Sequence, residues 1–237
     1  GGINMKNRSW SLLAMLFATL LVLAACGGND DSADKDKESD TTSPAEELLS
    51  LEAINDGDAI TGGTLKVAMM KDEPFQGVLL AELYEDAYDF DLMAWASNSL
   101  FEVDGEFLIT DEGIASLEVD EENNKAVVKI REGVKWSDGE PLKIEDLILP
   151  YEIIADKDYK GVRYDGDLKN IVGIEEYHAG TADTISGLVK VDETTLEISF
   201  KKLSPAIYSG GDGLWTYAAP SHQIGDIPVA DLLSHDA

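Results

Sequence analysis

Val128-Lys-Ile-Arg-Glu-Gly-Val-Lys-Trp-Ser-Asp-Gly-Glu-Pro-Leu-Lys-Ile-Glu-Asp-Leu147 decides the fold class, because a strand, a tight turn and a helix start follow one another within it. The strand is Ala126 to Arg131, a β-rich stretch entered from the turn-forming pair Asn123-Asn124. Ser137-Asp138-Gly139 reads as a tight turn, with glycine supplying a positive φ and the aspartate capping the bend. Residues 144–155 then read as a helix whose first turn holds Glu145 and Asp146, where negative charge meets the positive end of the helix dipole. Pro150 falls inside that helix and lacks an amide donor, which predicts a kink or an early end near Ile148.

Further strands and helices extend on both sides. Gly62-Gly63 signals a turn, and Thr64 to Met69 is expected to follow as a strand. Residues 76–100 are rich in apolar and helix-forming types and read as one or two helices. Thr194 to Phe200 alternates apolar and polar residues as a half-buried strand does. The expected fold is mixed α/β, with a folded body over residues 62–237 and no visible internal repeat.

The N-terminus reads as an export leader. Lys6 and Arg8 lie beside Met5, and Leu12 to Ala25 contains no charge. That apolar run would span roughly 21 Å as a helix, short of a hydrocarbon core of about 30 Å, so residues 1–25 are expected to be leader and signal peptide. Leu23-Ala24-Ala25-Cys26 resembles the lipobox of bacterial lipoproteins, which implies cleavage before Cys26 and a lipid on its sulfur. Cys26 is the only cysteine, which excludes an intramolecular disulfide. Gly1 to Asn4, ahead of Met5, read as a translated ribosome-binding region or a cloning scar. Residues 26–61 are expected to form a flexible acidic tether; Gly27 to Pro44 has no aromatic or large aliphatic side chain to offset the entropy of ordering.

Charge narrows the functional classes. The whole chain carries a formal −29; loss of Lys6 and Arg8 with the leader leaves 47 acids against 16 bases, a formal −31. Such a body repels nucleic-acid phosphates, so no nucleic acid is expected as partner. It also repels an anionic membrane surface, which leaves a covalent lipid as the means of staying there.

The quoted stretch resembles the signature of the family 5 extracellular solute-binding proteins, the peptide-binding components of ABC importers. Gly62-Gly-Thr-Leu-Lys66, Ser99-Leu-Phe-Glu102, Asp158-Tyr-Lys-Gly-Val-Arg-Tyr164 and Asp192-Glu-Thr-Thr-Leu-Glu-Ile-Ser-Phe200 match the same family, the last two in its Gram-positive oligopeptide binders. The resemblance covers about 62–237 and implies the first lobe, incomplete, of a two-lobed periplasmic-binding-protein-like fold. Family members are much longer, so the chain reads as a fragment or the product of a truncated gene. Where the family usually places Thr-Ala at the helix start, this chain has Lys143-Ile144, losing a cap hydroxyl worth ~1 kcal/mol.

The resemblance further implies capture of oligopeptides for an ABC permease, on the outer face of the cytoplasmic membrane of a Gram-positive cell. Peptide main chain would pair with cleft backbone while wet pockets take the side chains. The candidate contacts are Glu73 and Phe75 in the loop after the first strand, with Arg163, Tyr164 and Trp215. Trp136 is assigned to core packing, and Ser209-Gly-Gly-Asp-Gly213 to a loop without the lysine of a phosphate-binding motif. A receptor for a peptide signal or another solute, such as a sugar or a nickel complex, is the alternative in the same fold. A lipid-anchored hydrolase is the alternative from another class. His178, His222 and His235 lack metal-ligand spacing, and there is no Gly-x-Ser-x-Gly elbow. Asp165 to Glu176 has calcium-loop length, but Lys169 and Asn170 stand where a ligand and a glycine are needed. No enzyme activity, metal or cofactor is expected.

Overall fold

The computed structural model describes residues 61–234. The chain divides into two units, Gly1–Lys66 and Val67–Ala237. Of the first, only residues 61–66 are described, and they are exposed. The leader, Cys26 and the 27–44 tether lie outside the described residues.

The second unit begins without the expected strand. Thr64 to Met69 has no ladder partner among the described residues, Leu65 is 78% exposed, and Val67 is 54% exposed. The apolar alternation is present, but a strand needs a neighbour, and neither edge of the sheet described below takes this segment. The helical reading of 76–100 narrows to α1 (Ala87–Ala96), which starts where Asp86 accepts the amide of Tyr88 at 2.6 Å. Asp89, fully buried, accepts the amides of Gln76, Gly77 and Val78, which fixes residues 76–78 as a loop.

Strands β1 (Ala115–Asp120) and β2 (Lys125–Ile130) form a hairpin, with Asn124 at φ 52 in the connecting turn. After the signature turn come α2 (Ile144–Ala155), the short α3 (Ile174–His178), β3 (Leu188–Lys190), β4 (Thr195–Ser199) and α4 (Ser221–Ile224). The sheet is antiparallel throughout, in the order β1-β2-β4-β3. Ala126 faces Ile198 and Val128 faces Leu196 across the ladder, and all four are buried. Ile144, Leu147, Tyr151 and Ile154 of α2 recur at helical spacing and join them in one core. Each such fully buried side chain contributes about 1.5–3 kcal/mol of transfer free energy. Among the described residues, no helix is long and apolar enough to cross a membrane.

Pro150 does not end α2, which continues to Ala155. The carbonyl that a residue-150 amide would have met is that of Asp146, and it accepts the amide of Ala219 at 2.9 Å instead. A segment distant in sequence thus supplies the missing donor, which offsets much of the ~3 kcal/mol that an interior proline costs. At the helix start Lys143 offers no acceptor, because an ammonium has no lone pair. The return half of a capping box is present, with Asp146 Oδ2 accepting the Lys143 amide at 2.9 Å.

Asp146 goes further than capping. Its side chain is 99% buried and also takes Trp136 Nε1 at 2.9 Å, the Ser221 amide at 2.9 Å and Ser221 Oγ at 2.6 Å. Trp136, assigned to the core from sequence, is half-buried and stands as a brace between the signature turn and α2. Asp138 of that turn accepts from His222 Nε2 and Gln223 Nε2, each at 2.8 Å, so the signature loop is tied to residues 219–223 at both ends. Those bonds and the Glu140 amide hold the Asp138 carboxyl down at about 2.

Candidate functional site

The site is built around a turn at residues 80–84, where the amides of Leu83 and Tyr84 both return to the Leu80 carbonyl at 3.0 Å. Arg163 pins it: Nε donates to the Ala81 carbonyl at 2.8 Å and Nη2 to the Tyr84 carbonyl at 2.7 Å. Its guanidinium lies 4.2 Å from the centre of the Tyr84 ring, a planar cation on an aromatic face. Tyr159 donates its hydroxyl to the carbonyl between these two, that of Glu82, at 2.6 Å. Glu82 itself is fully buried. Its Oε1 accepts Trp215 Nε1 at 3.0 Å, while Oε2 has no partner among the described residues. Burial pushes the Glu82 carboxyl up to about 7 against the opposing pull of its own amide, the Trp215 indole and Arg163.

Opposite this turn runs the glycine-rich loop. Asp212, at φ 58, accepts the Ser204 amide at 2.8 Å, and Asn170 Nδ2 donates to its carbonyl at 3.0 Å. At Gly213 (φ +92) a Cβ would stand 2.4 Å from the Asp167 carbonyl oxygen, so only glycine lets the two backbones pass. From Leu214 the chain continues without helix or ladder to Pro220. The Trp215 amide donates to the Tyr151 hydroxyl at 2.8 Å, the Thr216 carbonyl accepts the Leu100 amide at 2.7 Å, and Ala219 donates to Asp146. Between these anchors the amides of Thr216, Tyr217 and Ala218 and the carbonyl of Tyr217 find no partner among the described residues.

Two recesses flank this segment and share Tyr217. One, of about 350 Å³, is lined by Tyr84, Arg163, Asp167, Gly213 and Trp215, among others. The other, of about 550 Å³, is more apolar along Leu79, Leu80, Leu100 and Trp136. The structure therefore brings Arg163 and Trp215 together, with two of Arg163's donors committed to backbone. Tyr164 is not on the recess wall: it stacks on His178, with ring centres 4.0 Å apart. Phe75 meets Tyr88 edge-on at 6.5 Å and carries Lys71 Nζ 3.0 Å above its ring, while Glu73 is exposed in the same loop. Neither lines the two recesses. Sequence reading missed Glu82 and the Thr216–Ala218 backbone. The only sequence signal for Glu82 is an acid inside the apolar run Leu79-Leu80-Ala81-Glu82-Leu83. Among the described residues, no group of three or more His, Cys, Asp or Glu is placed to hold a metal.

The family model of the bacterial extracellular solute-binding proteins, family 5 (middle), matches residues 109–231. The oligopeptide-binding protein OppA of Lactococcus lactis subsp. cremoris (strain SK11) is 34% identical over 227 residues, 93% of this chain and 36% of that protein. The OppA of Bacillus subtilis (strain 168) is 25% identical over 231 residues, again 36% of its length. Among solved structures, lactococcal OppA complexed with an endogenous peptide in the closed conformation matches with a TM-score of 0.69 at 34% identity, over 73% of this chain and 33% of that one. The chain thus spans about a third of the length of these relatives. With a family model covering more than half of it and a relative matching nearly all of it, the chain belongs to the family 5 bacterial extracellular solute-binding proteins.

Proposed function

We propose that this chain forms part of the binding wall of a lipid-anchored extracellular receptor that captures oligopeptides for an ABC permease. The observation that carries this reading is the segment at Thr216–Ala218, outside helix and sheet and half-buried between two recesses, with amides and a carbonyl unpaired among the described residues. Backbone amides and carbonyls left open in this way can pair with the main chain of an extended peptide whatever its sequence, and adjacent recesses take its side chains. Trp215 and Tyr84 give one recess aromatic faces, and Arg163 with Asp167 gives it both charges. The lactococcal relative with a bound peptide supports the same ligand class. Glu73, Phe75 and Tyr164 are proposed as further contacts, from the family resemblance.

The anchor is proposed at Cys26, after cleavage of residues 1–25, with residues 26–61 as tether and residues 62–237 as the folded part. Intact-mass analysis of the cellular protein should find an acylated Cys26 at its N-terminus, and an unmodified residue 26 would remove the anchor from the reading. For the ligand, the purified protein is incubated with a mixed peptide library, and bound species are eluted for mass spectrometry. Peptides of varied sequence are expected, with capture weakened by Trp215→Ala. Retention of a sugar or a nickel complex with no peptide would overturn the proposal. Peptide turnover that survives protease inhibitors would point to a hydrolase.

A further inference from the structure

Glu82 is a carboxylic acid placed where an apolar residue would be expected. It is fully buried, one oxygen holds the indole of Trp215, and the other has no partner among the described residues. Its own backbone is clamped on three sides, by Arg163 on the carbonyls of Ala81 and Tyr84 and by Tyr159 on the carbonyl of Glu82. The turn therefore has little freedom to carry the side chain out to water. Trp215 is held at its other end by the bond from its amide to the Tyr151 hydroxyl, so the indole contact with Glu82 fixes the ring's place on the recess wall.

We propose that Glu82 is the positioning residue of the recess, and that gain and loss of a proton on its carboxyl resets the orientation of Trp215 and hence the shape of the wall. Neutral Glu82 accepts the indole N–H in an uncharged bond and leaves Arg163 to the backbone carbonyls. Ionised Glu82 takes the indole N–H in a charge-assisted bond and attracts the Arg163 guanidinium, the cation that faces it across the turn. The other titratable groups around this turn and recess are the phenols of Tyr159, Tyr151, Tyr84 and Tyr217 and the carboxylates of Glu85, Asp165 and Asp167. The phenols of Tyr159 and Tyr151 stay protonated far above neutrality, since burial raises both. Glu85 is exposed and acts with Glu82 on Tyr159. Glu82 is thus the group whose charge changes in the neutral range, because burial places it near 7. The recess's use for peptides rests on the function proposed above; the switch does not, and its test needs no peptide.

The test follows the indole N–H resonances of the four tryptophans of the ¹⁵N-labelled chain, with Trp215 assigned by its disappearance in Trp215→Phe. The sample is titrated over roughly pH 5 to pH 9. The Trp215 resonance is expected to move by more than its linewidth with one midpoint near 7. In Glu82→Gln, which keeps an acceptor oxygen but cannot ionise, that movement is lost. In Glu85→Gln it persists. A Trp215 resonance that stays still in the native chain overturns the proposal, with no variant required. Movement that survives Glu82→Gln, or that vanishes in Glu85→Gln, overturns it as well. A library experiment that captures no peptide while the resonance titrates as described would sink the peptide reading and leave the switch standing.

Discussion

Replacing Asp146 by alanine should cost more than truncating any other charged side chain of α2. The carboxylate accepts four hydrogen bonds, from Trp136 Nε1, the Lys143 amide, the Ser221 amide and Ser221 Oγ, at 2.6–2.9 Å. Bonds to a charged acceptor contribute about 1.5–3 kcal/mol each, but they share one group and do not add. The cost of the truncation is set by what it leaves behind. Two backbone amides and an indole N–H lose their acceptor at a site 1% exposed. Each buried donor left without an acceptor costs about 1–3 kcal/mol, and three that relax together give an expected loss of roughly 3–5 kcal/mol. In urea, with a slope of about 1–3 kcal/mol per molar, the unfolding midpoint should fall by roughly 2 M at an unchanged slope. Asp146→Asn keeps one acceptor and turns an NH₂ towards two donors, so it should lie between alanine and native. Trp136→Phe combined with Asp146→Ala should show a coupling of about 1 kcal/mol, since the indole bond is already gone in the double variant. A midpoint shift below ~0.5 M for Asp146→Ala would show that solvent satisfies these donors and would refute the reasoning.

Three more outcomes can be measured the same way. Pro150→Ala should stabilise by less than ~1 kcal/mol rather than the ~3 kcal/mol of an ordinary interior proline, because the Asp146 carbonyl already has Ala219 as donor; a larger gain would mean that this bond is weak. Gly213→Ala should destabilise by ~1–3 kcal/mol, through both the positive φ and the 2.4 Å approach to the Asp167 carbonyl, and a neutral result in thermal melts would contradict that backbone path. For Glu82 burial pushes the folded carboxyl up to about 7 from an ordinary 4.5, so the folded state holds the proton more tightly than the unfolded one. Stability is then full below the unfolded value, falls as pH rises from 4.5 to about 7, and levels above that, a loss of about 3 kcal/mol relative to Glu82→Gln. Native and variant stability curves that run parallel across that window would contradict the burial of an ionisable group.

What was readable in the sequence was local and periodic. The β2 strand, the Asn123-Asn124 turn, the start of α2 and the β4 strand follow from alternation, turn chemistry and helical spacing, all written within a few residues. The misreadings concern distant partners. Thr64 to Met69 has the alternation of a strand, but pairing depends on a neighbour that alternation cannot name. Pro150 reads as a terminator because the donor that compensates for it, Ala219, is remote in sequence. Of the candidate residues, Arg163 and Trp215 lie on one recess, while Tyr164, Glu73 and Phe75 line neither. Glu82 was passed over because an acid in an apolar run shows its burial only once Tyr159, Arg163 and Trp215 close around it.

The bond between Ala219 and the Asp146 carbonyl also bears on time. Ala219 lies 69 residues beyond Pro150, so a ribosome adding ~5–20 residues per second finishes the helix roughly 3–14 s before the donor that completes it exists. Throughout that interval α2 has an unpaired carbonyl at its proline and Asp146 lacks its Ser221 donors. The nascent helix is held incomplete by its own sequence, a property that would suit the export proposed above, in which a chain is threaded unfolded.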